Sequence, residues 1–316
     1  MTAAALAWRG APRSERRWAG VIVNEHLLSA TQTRVHVDAL AGTFDFIGHD
    51  ELPRRLERPG RRPFCLFTFD DGKLQNHADT APELERLGVP AVFYLVSDFV
   101  GGRQALWHDD HAALVAAAGS VPAALDVERL KQLPHAVRLD RLRSALHAAG
   151  ASAAVSDPRV ALMSWDDARD LAARGFVIGA HGRRHSILPR ETEDDARDEI
   201  AESLAAIGAQ LGSPCTTFAF PNGNYTSALA HHALQHGAQT VMTTEPLWVG
   251  SRSMTWRLPR VQLHPHDGPR HIRCKIAAAM PGVALANPDG TGRAYRRVER
   301  QTRKRRSTAG PSRGSS

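Results

Sequence analysis

"FCLFTFDDG", residues Phe64–Gly72, carries six apolar or β-favouring residues directly into two adjacent carboxylates and a glycine. A short run of this kind, ended by turn residues, predicts a strand in a mainly parallel sheet. The exit of that strand has two readings. Asp and Gly are ordinary turn residues, because Asp hydrogen-bonds its own backbone and Gly accepts positive φ. Two like charges in contact also raise each other's pKa unless a cation lies between them, so the same pair suits the rim of a site.

Outward from this stretch, short apolar runs alternate with helical patterns, the signature of a β/α repeat. The candidate strands are Val21–Asn24, Phe64–Phe69, Ala91–Val96, Phe176–Ala180, Thr216–Phe220 and Gln239–Thr243. Three helices stand out between them. Leu74–Leu87 places Leu84 and Leu87 on one face and is followed by Gly88 as a stop. A second opens at Ser164 as N-cap, with Asp167 as the capping-box acid, and ends at Gly175. The third, Glu191–Leu211, begins acidic and spaces Ile200, Leu204, Ile207 and Leu211 helically. Residues 101–160 are Ala-rich, with helical stretches near His111–Ala118 and Val137–Ala149, and read as an insertion or lid.

The chain has 316 residues, of which 42% are hydrophobic, enough for one catalytic domain with appendages. We expect a flexible N-terminus over residues 1–18, a domain over 19–275, and a basic tail over 276–316. The formal charge of +7 resides in that tail: residues 293–316 carry nine Lys/Arg against one Glu. The tail has no apolar periodicity and is expected to be disordered, at most touching an anionic surface weakly, with no specific nucleic-acid partner. Cys65, Cys215 and Cys274 are odd in number and far apart, which argues against a disulfide framework or a thiolate zinc site. Arg9 interrupts the only apolar stretch at the N-terminus, and no run of about 18 uncharged apolar residues follows. The expected location is therefore cytoplasmic, with export by an unrecognised route as the alternative.

In parallel β/α folds the functional side chains gather where strands end. Asp70 and Asp71 follow the second candidate strand; Glu25 and His26 follow the first. His181 and His185, in "HGRRH", follow Phe176–Ala180, and Pro221 to Tyr225 follow Thr216–Phe220. Two imidazoles four residues apart meet on one face if the segment is helical. With Asp71 they form a two-His, one-carboxylate set with open positions, a catalytic metal arrangement. A rival is "WHDDH", where His108, Asp109, Asp110 and His111 could ligate by the same rules. It follows no strand and opens an Ala-rich helix, so it reads as an ordinary acidic first turn. His231, His232 and His236 read as the surface of a helix; His264 and His266 read as loop.

"TFDDG", "HGRRH" after "FVIGA", and "FAFPNGNY" together resemble the polysaccharide deacetylases, the NodB-homology group of carbohydrate esterases, over about Val21 to Val261. The resemblance implies an α/β fold, a distorted (β/α)7-type barrel, and metal-dependent removal of acetyl groups from an N-acetylated amino-sugar polysaccharide or oligosaccharide. It implies Asp70 as catalytic base and Asp71, His181 and His185 as ligands of one divalent ion, zinc first, with cobalt, manganese or iron also suited. Pro221, Asn222 and Tyr225 would line the substrate site. The acid histidine of a permuted branch follows the first strand, where this chain has "VIVNEH", making His26 the candidate and His264 in "QLHPH" the alternative.

The chain also departs from the usual pattern. Ala219 stands where the third motif usually has Arg, Asn222 where an aromatic is frequent, and the aspartate-rich fourth motif is missing. "TTEP" (Thr243–Pro246) and "RLPR", ending at Arg260, resemble the exopolysaccharide-linked branch instead. Arg260 is then the cation expected to hold Asp70 ionised. Two other classes stay open: an amidohydrolase of the same fold acting on a small non-sugar C–N bond, and a decayed binding protein working through its basic tail.

Overall fold

The fold is built around β3 (Phe64–Phe69), buried along its whole length in the computed structural model, which describes residues 19–102, 104–151, 160–251 and 253–280. The expected flexible N-terminus and residues 281–316 of the expected tail lie outside the described residues, whereas residues 276–278, expected in that tail, close the helix Pro269–Ala278 with Ile276 and Ala277 buried. The chain divides into Met1–Pro281 and Gly282–Ser316; everything described belongs to the first unit.

β1 (Gly20–Glu25) lies parallel to β3 from Gly20↔Phe64 to Glu25↔Phe69. On the other edge of β3, β2 (Asp45–Phe46) pairs with its start and β4 (Ala91–Leu95) with its end. β5 (Val177–Ala180), β6 (Thr217–Ala219), β7 (Thr240–Met242) and β8 (Val261–Gln262) complete a parallel sheet ordered β7-β6-β5-β4-β3-β1-β8. Leu258, just before β8, bridges Met242 of β7, so the two ends of this seven-strand path are drawn toward each other. The sheet is thus a curled, distorted (β/α)7 arrangement.

Alternation along the strands sends side chains to opposite faces. Phe64 and Leu66 join Ile22, Val92, Tyr94, Ala219 and Met242 in one buried cluster. Phe67 and Phe69 face the other way and continue through Phe93 to Phe176, with successive ring centroids 5.1 to 6.4 Å apart. Every strand expected from the sequence is present within two residues of its limits, whereas β2 and β8 were not foreseen.

The helix Trp165–Ala173 has both halves of its capping box, Asp167 N to Ser164 Oγ and Ser164 N to Asp167 Oδ2. Glu193–Leu211 starts two residues later than expected, because Thr192 takes the cap, and stops at Gly212 with φ 67°. The expected helix Leu74–Leu87 is present and continuous from Leu74 to Arg86, but its middle, Asn76–Thr80, widens into a π turn before the α-helical Ala81–Arg86. Pro82 has no N–H to offer the preceding turn, and Asn76 and Thr80 are drawn inward by donating to the carbonyls of His26 and Leu28. Helices Ala30–Ala41, Leu52–Glu57 and Pro269–Ala278 were not foreseen.

Within the insertion, helices Trp107–Ala118, Val127–Leu130 and His135–Ala148 enclose a small core of Trp107, Leu114, Leu130, Leu142 and Leu146. Among the described residues no helix is long and apolar enough to cross a membrane, and all three cysteines are free.

Candidate active site

The chain reverses direction immediately after β3. Asp71 has φ 76° and Gly72 φ 67°. A Cβ at Gly72 would lie 2.8 Å from Leu95 Cδ2 and displace that side chain, and the positive φ itself favours glycine. Asp71 holds its left-handed backbone at a cost no β-carbon-bearing residue escapes, and such outliers concentrate at functional sites. The consequence is geometric: two neighbouring carboxylates, which a straight strand would aim apart, both reach the space above the C-terminal ends of β3 and β5.

His181 and His185 arrive from the loop after β5. The loop is not helical, contrary to the condition under which their spacing was expected to bring them together. Positive φ at Gly182 (73°) and His185 (59°) folds it into a tight hook, and the two rings meet 5.0 Å apart. Glu199, fully buried on the Glu193–Leu211 helix, holds the hook from beneath. It accepts from the backbone N–H of Arg183 and Arg184, from Arg184 Nε and from Ser186 Oγ at 2.6 to 3.2 Å.

Asp71, His181 and His185 are all buried, and one ligand atom from each lies within 4.8 Å of the others. Asp71 Oδ1 is 3.2 Å from His185 Nε2 and 3.7 Å from His181 Nε2, and it accepts no hydrogen bond. The Ala219 carbonyl, 2.8 Å from His181 Nδ1, can only accept, so that nitrogen carries the proton and Nε2 is left with its lone pair toward Asp71. Burial pushes His181 down to about 4, the lowering by His185 adding to it and Asp70 and Asp71 opposing it, so the ring is neutral at pH 7. Asp71 stays ionised: burial pushes it up, but His108 and His185 together hold it well below the usual carboxylate range. A buried carboxylate oxygen without a donor, faced by an unprotonated imidazole, is the environment that a divalent cation satisfies.

Asp70 is tied differently. Arg260 is fully buried and donates from Nη1 and Nη2 to Asp70 Oδ1 and Oδ2 at 2.7 and 2.8 Å. Its Nε is fixed by the Thr243 carbonyl and its Nη1 also reaches Thr68 Oγ1. Burial raises the Asp70 pKa, and the charge of Arg260, followed by those of His181 and His26, more than offsets this, so the net shift is downward. Position 219 contributes only a carbonyl to the site, and the guanidinium comes from position 260. Asp70 Oδ2 lies 3.9 Å from His181 Nε2, which puts it beside the Asp71 cluster without joining it.

His26 sits half-buried at the end of β1, where its carbonyl accepts from Asn76 and its charge is felt by Asp70. Glu25 was expected on the same rim but turns inward, 2.6 Å from His36 Nδ1, both buried, because β1 is covered on both faces along its whole length. His264 stacks on His266 and lies near Lys275 and Asp267; burial and then Lys275 lower its pKa, which suits a proton donor poorly at neutral pH. Pro221 and Asn222 form the turn after β6, Asn222 with φ 56°, and the Tyr225 hydroxyl donates to Glu245 Oε1 at 3.2 Å.

The stretch read as a plain helix start contributes to the site. His108 Nε2 lies 3.4 Å from Asp71 Oδ2, and its ring is 5.4 Å from that of His185. Its former companion His111 is engaged elsewhere, at the Leu125 carbonyl. Sequence reasoning set the pair aside because no strand precedes it; the approach comes instead from packing of the insertion.

The fold and site define a β/α barrel that gathers one carboxylate and two imidazoles at its C-terminal rim, a group that could hold a metal ion. The polysaccharide deacetylase family model matches residues 57–241, more than half of the chain, and the chain belongs to that family. Among solved structures it is similar to the Streptococcus pyogenes deacetylase PplD in complex with acetate, at 13% identity and TM-score 0.57, covering 81% of this chain and 97% of that one. IcaB from Ammonifex degensii is 17% identical with TM-score 0.57, covering 82% and 97%. The BpsB deacetylase domain from Bordetella bronchiseptica is 14% identical with TM-score 0.52, covering 78% and 96%. At these identities the likeness is one of fold. No curated protein matches the chain.

Proposed function

We propose that the protein is a metal-dependent hydrolase that removes N-acetyl groups from an N-acetylated amino-sugar glycan. The observation that carries this reading is the division of labour between adjacent carboxylates. Asp70 is clamped by Arg260 at 2.7 and 2.8 Å, while Asp71 turns a bare oxygen toward His181 and His185. One acid is thereby kept ionised as a base and the other is kept free as a ligand.

Asp71, His181 and His185 would hold the ion, which when bound supplies Lewis acidity to the attacking water and the acyl oxygen. Asp70 accepts a proton from that water as its oxygen adds to the acyl carbon. His26, protonated, gives its proton to the amide nitrogen as the C–N bond breaks, so acetate and a free amine leave. Arg260 keeps Asp70 anionic at the start of the cycle and bears on its basicity throughout. Pro221, Asn222 and Tyr225 would border the bound sugar.

The test is acetate release from N-acetylglucosamine oligomers, with chelator and after add-back of zinc, cobalt or manganese. Chelator-sensitive release restored by one of these ions is expected. Release from small cyclic amides but from no acetylated sugar would place the protein among amidohydrolases of this fold. No turnover of either kind, with a cellular role lost on deleting residues 293–316, would favour the binding-protein reading.

A further inference from the structure

The insertion does not hang over the site loosely. Lys73, buried two residues beyond Asp71, is ion-paired with Asp109, whose side chain is also largely buried. The far end of the insertion returns to the same turn: Leu74 N donates to the Ala161 carbonyl at 2.8 Å and Met163 N to the Gly72 carbonyl at 2.9 Å. The segment carrying the two carboxylates is therefore gripped by both ends of the insertion. Between these grips stands His108, 35% exposed on its side chain, with Nε2 3.4 Å from Asp71 Oδ2.

The two oxygens of Asp71 have different neighbours. Oδ1 faces His181 and His185 and accepts no hydrogen bond, whereas Oδ2 faces His108. A carboxylate that binds a metal through one oxygen can rotate or chelate through both unless its second oxygen is engaged. Hydrogen-bond partners on the outer atoms of metal ligands fix such orientations. Given the reading that Asp71, His181 and His185 hold a divalent ion, we propose that His108 is a positioning residue of that centre, donating from Nε2 to Asp71 Oδ2 so that Oδ1 stays aimed at the ion. The insertion is the device that delivers it, and the buried Lys73–Asp109 pair is the latch.

The test is Co²⁺ binding to the metal-free protein, followed by visible absorption and by competition against a chelator, with no activity measurement required. The unsubstituted protein should bind one Co²⁺, and Asp71→Asn should lose it. His108→Ala should weaken binding by about 10- to 100-fold, the range found for such outer partners, without altering the coordination number read from the spectrum. His108→Gln, which keeps an N–H donor but is a poor ligand, should stay within about threefold of the unsubstituted protein on the same scale. Lys73→Met, which releases the latch, should weaken binding in the direction of His108→Ala. Circular dichroism of the metal-free variants distinguishes a lost site from a lost fold. Co²⁺ affinity that depends on Asp71 but not on His108 overturns this inference alone. Equal losses in Ala and Gln variants, with a changed spectrum, overturn it in favour of direct ligation. No Co²⁺ binding by the unsubstituted protein overturns the metal reading and this inference with it.

Discussion

Arg260 meets Asp70 end-on, two guanidinium nitrogens to two carboxylate oxygens at 2.7 and 2.8 Å, and neither side chain has appreciable solvent exposure. Removing one partner of such a pair strands a buried charge, at a cost of about 3–5 kcal/mol. Arg260→Met should therefore lower unfolding free energy by roughly that amount at pH 7, measured by urea titration. The pH dependence has a definite sign. Asp70 is held below its ordinary value, so the pair's stabilisation is fully present above the unfolded value of about 3.9 and is lost as pH falls through the folded value. The stability gap between the two proteins should thus narrow on acidification below about pH 4. A gap that widens there would contradict the assignment. Activity should report the same event from the other side: with burial unopposed, the acid limb of the pH–rate profile moves upward in Arg260→Met.

The adjacent acids should fail in different ways. Asp70→Asn should retain metal and lose roughly 10²- to 10⁴-fold in kcat, the usual contribution of a positioned base. Asp71→Asn, like His181→Ala, should lose the metal itself. Metal content by atomic emission beside kcat separates the two; loss of metal in Asp70→Asn would collapse the distinction.

If His26 protonates the leaving nitrogen, its removal should matter most when the leaving group is poor. His26→Gln should depress turnover of an acetamide by about 10²-fold or more, and affect an activated aryl acetate far less. His264→Gln should show no such dependence on the leaving group. A reversed pattern would move the acid role to His264, despite the lowering of its pKa by burial and Lys275.

What could be read from the sequence follows from how local each feature is. β3 and the turn after it were legible because an apolar run and its breaker sit in one window, and the capping box at Ser164 because its two partners are three residues apart. β2 and β8, two residues each, have no pattern to detect and exist only by pairing with β3 and β1. The "HGRRH" spacing led to the right neighbours by the wrong geometry: a hook with two left-handed residues brings the rings together where a helix was expected. His108 was weighed as a ligand in its own stretch and set aside, because nothing in its surroundings points to Asp71; that contact exists through the tertiary docking of the insertion. Buried acceptors that serve another segment, such as Glu199, leave no local trace either.

Glu199 makes the last prediction. A carboxylate fully buried on a helix needs donors, and here they are two backbone N–H groups, an arginine Nε and a serine hydroxyl, all from the loop that carries His181 and His185. The opposite side of that loop is held by Ser97 N and Asp98 N donating to the Gly182 and Arg183 carbonyls at 3.1 and 3.0 Å. Glu199→Leu would remove every acceptor on one side: the half-buried N–H groups of Arg183 and Arg184 and the Ser186 hydroxyl lose their partner, at about 1–3 kcal/mol each in unfolding free energy, while the Arg184 guanidinium, 41% exposed, turns to water. Glu199→Gln keeps one carbonyl oxygen and should cost less, about 1–3 kcal/mol. Because the strain falls on the hook and not on the barrel, both variants should also show a smaller rise in Tm on adding Zn²⁺ than the unsubstituted protein, since stabilisation by a ligand scales with its affinity for the folded state. An undiminished Zn²⁺-dependent rise in Glu199→Leu would mean that the backbone grip of Ser97 and Asp98 suffices to shape the loop, and that Glu199 serves only the fold.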